Sequence, residues 1–172
     1  MSDSAANVGQ NARFDALCGA LRPDLFRFAF WLARDRAVAE DVVQDTLLRA
    51  WRSFASLTDD RAARPWLLTI ARREFARRFE RKTLETVDVD NLAELEDPAL
   101  AAGDAEQVME MRAAIWSLPG DYREPLVLQV LMGYSTEEIA AHMELTPGAV
   151  LTRLFRARQK LRKALTDEGE DP

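Results

Sequence analysis

The sequence holds one cysteine, Cys18, and one histidine, His142, and that scarcity limits what its side chains can do. An internal disulfide needs two cysteines, and the usual zinc sites need several His or Cys ligands. Cys18 falls in an apolar helical pattern, where a small buried hydrophobe is the expected role. His142 closes a short helix, so a structural or surface role is expected there. There is no Ser/His/Asp order, GxGxxG or phosphate-binding glycine loop. The sequence therefore predicts no enzyme, no metal and no cofactor. Charge is the chemistry left. Arg73, Arg77 and Arg81 step by four and make a cationic stripe able to neutralise phosphates, while Trp66, Phe75 and Phe79 offer rings to an unpaired base. The same rings fit a core and the same arginines a solvated face. Asp41, Gln44, Asp45 and Leu48 share a face on which a leucine is set among carboxylates. That pattern suits either a basic partner or plain solvent.

The whole chain has 172 residues, a net charge of −6 and a pI near 4.9, which alone argues against nucleic acid. The charge is segregated. Residues 61–82 carry net +6, 83–106 carry −8, 153–165 carry +6, and 166–172 hold four acids and no base. With 48% hydrophobic and 30% charged residues the chain reads as globular. No apolar run approaches the roughly 20 residues of a membrane span and no signal-peptide core appears, so no membrane insertion and a cytoplasmic location are expected.

Helical periodicity recurs almost throughout, without sustained alternation of period two. It predicts helices over 13–34, broken near Pro23, and over 38–54, with Val43, Leu47, Ala50, Trp51 and Phe54 as the core stripe of the second. A third starts at Pro65 and runs to Lys82, with Leu67, Ala71 and Phe75 facing the core. The aperiodic, acidic stretch 83–105 holds Pro98 and Gly103 and reads as a linker. Helical patterns resume at 106–117, 122–132, 136–143 and 147–165. Ser135 with Glu138 forms a capping box, and Thr146-Pro147 supplies an N-cap and first-turn proline. Val150, Leu154, Ala157, Leu161 and Leu165 make an apolar seam, with Arg153, Arg156 and Lys160 off it. A short capped helix, a tight turn and a longer basic helix is a helix-turn-helix arrangement; a basic helical hairpin is the plainer reading. The fold expected is all-α, with two small helical domains joined by an acidic linker.

These residues resemble bacterial RNA polymerase sigma factors of the extracytoplasmic-function (ECF) group. Residues 39–46 (AEDVVQDT) and the run to Trp51 resemble the family's polymerase-docking signature. Pro65-Trp66-Leu67 through Ile70-Ala71-Arg72 resembles its promoter-melting segment. Leu118-Pro119, residues 123–128 (REPLVL) and residues 134–140 (YSTEEIA) resemble the start of the second domain, and Gly148-Ala149-Val150 with residues 152–158 (TRLFRAR) its recognition helix. The resemblance covers about 14–165. It implies a clamp-binding, promoter-melting domain at 10–82, a linker at 83–105, a helix-turn-helix domain for the minus-35 element at 106–166 and an acidic tail at 167–172. It implies polymerase binding by Asp41, Gln44, Asp45 and Leu48. Minus-10 contacts would come from Arg61, Arg64, Trp66, Arg72, Arg73 and Arg77, with a flipped base held by the loop 58–64. Minus-35 contacts would come from Thr152, Arg153, Phe155, Arg156 and Lys160, with Arg153, Arg158 and Lys160 nearer the backbone or domain core. The linker would thread the polymerase RNA channel. The partners implied are core RNA polymerase, promoter DNA and an anti-sigma factor, and the function implied is transcription initiation from a stress or signal regulon. A stand-alone helix-turn-helix regulator with an N-terminal sensing module is the alternative, and a scaffold with incidental basic faces a third reading. Arg73 stands where Asn is usual, Arg77 and Glu80 suggest a reversed i, i+3 ion pair, and Leu151 and Ala149 replace a basic or polar residue and a Thr.

Overall fold

A computed structural model describes residues 2–82 and 105–167 of the chain. The expected linker at 83–105 and tail at 167–172 lie outside the described residues, apart from the helical residues at their edges, Ala105 and Asp167. Among the described residues there is no strand. The elements are α1 (Ser2–Ala33), α2 (Arg36–Ser53), 3-10 turns at Phe54–Ser56 and Asp60–Ala62, α3 (Ala63–Lys82), α4 (Ala105–Ser117), α5 (Gly120–Val130), α6 (Thr136–Met143) and α7 (Pro147–Asp167).

Local chemistry accounts for most boundaries. Asp35 caps α2 by accepting from the Val38 amide at 2.8 Å, and Arg34 before it takes the left-handed conformation at φ 58°. The pair turns the chain back on α1. Thr146 caps α7 through the Ala149 amide at 3.2 Å. The expected break at Pro23 does not occur: α1 runs through it. A proline disturbs the carbonyl four residues back, here that of Gly19, and both residues lie on the exposed side of the helix. The freed carbonyl can turn to solvent while Cys18 and Leu25 stay buried. Likewise the expected loop 58–64 is largely helical, since a 3-10 turn at Asp60–Ala62 leads directly into α3.

The predicted stripes are mostly buried. Val43 and Ala50 on α2, Phe54 in the 3-10 turn after it, Leu67 and Ala71 on α3, and Val150, Leu154 and Ala157 on α7 are all inside. Trp51 is the exception, 42% exposed, with its ring edge-on to Phe14.

The two sets of helices are packed on each other rather than held apart. One buried cluster runs from Phe14 to Ala157, and α1 packs on α5. Trp116, at the end of α4, is the joint. Its ring lies 5.2 Å from Phe30 and 5.3 Å from Trp31, centroid to centroid. Its carbonyl accepts from Arg34 at 2.7 Å and from Arg123 at 3.1 Å, while a second Arg123 nitrogen donates to the Leu32 carbonyl at 3.3 Å. Trp116→Ala should therefore lower stability by about 3–5 kcal/mol in urea unfolding followed by circular dichroism. A loss under about 1 kcal/mol would mean that the ring does not hold the two sets together.

Candidate polymerase and nucleic-acid interfaces

The acidic face of α2 has a geometry of its own. Asp41, Gln44 and Leu48 are exposed, Leu48 by 55%, and Asp45 is half-buried. Arg78, reaching across from α3, bridges Asp41 and Asp45 at 2.9 Å each. Partial burial works against the Arg78 charge, but the two carboxylates outweigh it and hold the guanidinium above its ordinary pKa. The carboxylates are thus half-neutralised from one side. Leu48 and Trp51 stand at the edge of an apolar groove between α1 and α2, lined also by Phe14, Phe26 and Leu47.

Of the expected cationic stripe, Arg73 and Arg77 each meet a carboxylate, and the side chain of Arg81 lies outside the described residues. Arg61 is 94% exposed and only brushes Asp59. Arg64 donates to Asp24 at 2.7 Å and to the Met132 carbonyl at 2.8 Å, with its guanidinium over the Tyr134 ring. Arg72 donates to Glu124 at 2.6 Å, and Arg73 reaches Glu144 at 3.4 Å. Arg64, Arg72 and Arg73 therefore all meet acceptors on the C-terminal helices or the loops between them. Arg77 pairs with Glu74 at 3.0 Å, one turn before it, and the side chain of Glu80, its expected partner, lies outside the described residues. Buried Glu74 also takes Arg49 at 3.3 Å. Trp66 is half-buried, its ring 6.4 Å from Phe54, so it serves the core at least in part.

His142 lies beneath this joint. Its Nδ1 is 3.4 Å from the Thr69 hydroxyl, which itself donates to the Pro65 carbonyl at 2.8 Å. The hydroxyl is then an acceptor, which puts the imidazole proton on Nδ1 and leaves Nε2 bare. Phe28 and Tyr134 cover the ring edge-on. Burial, then Arg72 and Arg73, push its pKa down to about 4. The Glu124 carboxylate stands 3.8 Å from Nε2, but it is already held by Arg72 and burial biases it toward its neutral form, so it does little to charge the ring. The role is structural, as the sequence suggested.

The C-terminal helices have the expected turn geometry. Ser135 accepts from the Glu138 amide at 3.2 Å and Glu138 accepts from the Ser135 amide at 2.8 Å. Glu144 ends α6 in the left-handed conformation and α7 follows at once. On α7, Thr152, Phe155 and Arg156 point away from the buried seam. Arg153 is drawn to Asp121 at 3.4 Å, Lys160 lies over the Tyr122 ring at 5.8 Å, and Arg158 bonds Gln129, so these three lean back onto α5. Cys18 is buried, its thiol pushed up to about 11 by burial and then Asp15. Among the described residues no group of three or more His, Cys, Asp or Glu is placed to hold a metal, and no helix is long and apolar enough to cross a membrane.

Two family models match the chain: sigma-70 region 2 over residues 17–85 and sigma-70 region 4 over 109–161. With ECF sigma factors 32–33% identical over most of their length, the chain belongs to the ECF sigma factors of RNA polymerase. It is 32% identical to the ECF sigma factor SigL of Mycobacterium tuberculosis over 172 residues, covering 96% of each chain. It is 33% identical to EcfG of Rhodopseudomonas palustris over 150 residues, covering 87% of this chain and 83% of EcfG. A solved structure of the sigma factor RpoE with the anti-sigma factor NepR from Bartonella quintana aligns at TM-score 0.73 and 27% identity, over 90% of this chain and 97% of that one.

Several residues that shape this sigma factor have partners that their sequence context does not reveal, although Arg123 and Glu124 fall in the family-like segment 123–128. Arg78 clasps the acidic face, and Trp116, Arg123 and Glu124 build the joint. Arg123 is buried, and burial followed by its neighbour Arg34 lowers its pKa to about 10. Each meets partners 33 or more residues away, apart from the short-range bonds of Arg123. His142 gives the joint a pH signature. Arg72 and Arg73 face it from α3 and Glu124 from α5. Its pKa is depressed from 6.5 to about 4, so the unfolded chain takes up the proton first as pH falls. The His142 contribution is complete above about pH 6.5 and is lost down to pH 4, on the order of 3 kcal/mol in all. Glu124 acts oppositely, because its raised carboxyl pKa favours the fold as pH falls. Comparing urea stability of the wild type with His142→Gln separates the two: the wild type should lose more over that window. Parallel curves would remove His142 as the cause.

Proposed function

We propose that α2 docks on core RNA polymerase through Leu48, Gln44, Asp41 and Asp45. The turn at Asp60–Ala62 and α3 hold the minus-10 strand through Arg61, Arg64, Trp66, Arg72, Arg73 and Arg77. Helix α7 reads the minus-35 duplex through Thr152, Phe155 and Arg156, while Arg153 and Lys160, which lean onto Asp121 and Tyr122 of α5, would have to swing out to reach the phosphate backbone. The protein acts by binding, its N-terminal unit at 10–82 and its helix-turn-helix unit at 106–166 each taking one promoter element. The observation that carries this reading is the α6–turn–α7 unit, which buries its seam and leaves Thr152, Phe155 and Arg156 outward on a helix sized for a major groove.

The described arrangement is closed for promoter melting. Arg64 and Arg72 are held by Met132 and Glu124 in part-buried contacts that compete with phosphate, whereas Arg73, 63% exposed against Glu144, is open to it. On this reading initiation requires the two sets of helices to part, and an anti-sigma factor would act by keeping them together or by covering the acidic face of α2 and the apolar groove beside it. The structure of RpoE with NepR supports a partner of that kind.

Promoter-dependent transcription by purified core polymerase tests the reading directly. The wild-type chain should support initiation from a cognate promoter. Leu48→Arg, which places a cation among the docking carboxylates, should weaken co-elution with core polymerase by tenfold or more while leaving the circular dichroism spectrum unchanged. Tight DNA binding by the chain alone, with no polymerase association, would favour an independent regulator. Glu124→Gln removes the charge that holds Arg72. It should raise minus-10 strand binding roughly fivefold, about 1 kcal/mol. No change would mean that the closed contacts do not oppose DNA.

A further inference from the structure

The outward face of α7 is less polar than a phosphate-binding helix requires. Leu151 is 56% exposed and Phe155 60% exposed, one turn apart and away from the buried Val150, Leu154 and Ala157. Thr152, beside them, donates its hydroxyl to the Gly148 carbonyl at 3.0 Å, so its hydrogen is spent within the helix. Gly148 adds no side chain to the first turn and a Cβ there would meet open space. At 100° per residue these positions and Arg156 span a sector of about 140° opposite the seam. The cations of this half-helix other than Arg156 are diverted, Arg153 to Asp121 and Arg158 to Gln129. One guanidinium and an apolar ridge are left to face a groove.

A lone exposed leucine needs no explanation, but Leu151 and Phe155 one turn apart make a contiguous apolar patch on the outward face of α7, and such a patch marks a contact surface. In the major groove the apolar feature is the C5-methyl of thymine, since the other base edges present donors and acceptors. A guanine read by Arg at position 151 would be satisfied through O6 and N7, and a leucine satisfies neither. We infer that Leu151 is a specificity-determining residue that packs on a thymine methyl in the minus-35 element, beside Phe155 and one step from the base pair met by Arg156. This rests on α7 being the minus-35 reader. It goes further by naming the base feature selected and the side chain that selects it.

The test removes the methyl group itself. Duplexes selected from a randomised minus-35 region by the full chain with core polymerase would be remade with deoxyuridine in place of each thymine in turn, and promoter-complex formation measured for the wild type and for Leu151→Ala. Leu151 is exposed, so Leu151→Ala leaves the core intact, and retained polymerase co-elution checks this. One deoxyuridine position should cost the wild type about fourfold, the worth of one buried methyl group. The same position should cost Leu151→Ala nothing. Equal losses in the two proteins, or no sensitive thymine at all in a sequence that is nonetheless selected, would overturn the Leu151 contact while leaving α7 as a reader. If no minus-35 sequence is selected, the reading of α7 falls, and this inference with it.

Discussion

A carboxylate withdrawn from water has to be met by a cation, and at the centre of this molecule Glu124 is met by Arg72 2.6 Å away. Burial pushes the Glu124 carboxyl toward its neutral form, and the opposing charge of Arg72 holds it back. Such a pair stabilises little in net terms, because desolvation offsets most of the attraction. Its consequence lies in geometry. Glu124 is fixed on α5, two residues beyond Tyr122 and next to Arg123, whose own guanidinium is tied to the carbonyls of Leu32, Trp116 and Leu118. Arg72 is fixed on α3. Once the two meet, α3 and α5 have one relative position, Trp116 lies against Phe30 and Trp31, and His142 is sealed from water.

Charge segregation along the chain takes on a spatial meaning from that joint. Among its described side chains the basic run of α3 does not form a patch of unopposed cations, because Arg64, Arg72, Arg73, Arg77 and Arg78 each have an acceptor within 3.4 Å. Two of those acceptors, Asp41 and Asp45, belong to the face that the family resemblance assigned to polymerase. The acidic face and the basic helix therefore temper each other's fields. Leu48, exposed between them, is an apolar contact on a surface whose charges are partly satisfied, and less desolvation penalty then accompanies its burial.

How much of this was legible in the sequence follows from the range of each interaction. Caps and seams depend on residues three or four apart, so Ser135 with Glu138, Thr146 before Pro147, and the apolar positions of α7 could be read directly. Pro23 misled because a local rule, that proline breaks a helix, met a site where Gly19 and solvent relieve the strain. Trp51 misled because periodicity fixes the side of a helix and not how far the neighbouring helix extends to cover it. The joint was illegible for a different reason. Thr69 and His142 are 73 residues apart and Arg72 and Glu124 are 52 apart, and no spacing rule reaches that far. Arginines at steps of four look identical whether they await phosphate or already hold a carboxylate.

That ambiguity is a physical property of the arginines. A guanidinium binds carboxylate, carbonyl and phosphate oxygens by the same donors, so the groups that hold Arg64, Arg72 and Arg73 stand in for the phosphates that would replace them. The acceptors are on the same chain, at an effective concentration on the order of millimolar, and they release no competitor when they bind. A single phosphate cannot displace them. On the proposed function a strand presenting several phosphates along α3 would displace them, and docking through Leu48 would add to that only if it is tighter in the separated arrangement. Promoter binding and polymerase binding would then each raise the affinity for the other through one equilibrium, the opening of the joint, by an equal factor in both directions. Because Glu124 loses its cation when the joint opens, it must either reach water or take up a proton, and the opening equilibrium is linked to pH through Glu124 as well as through His142.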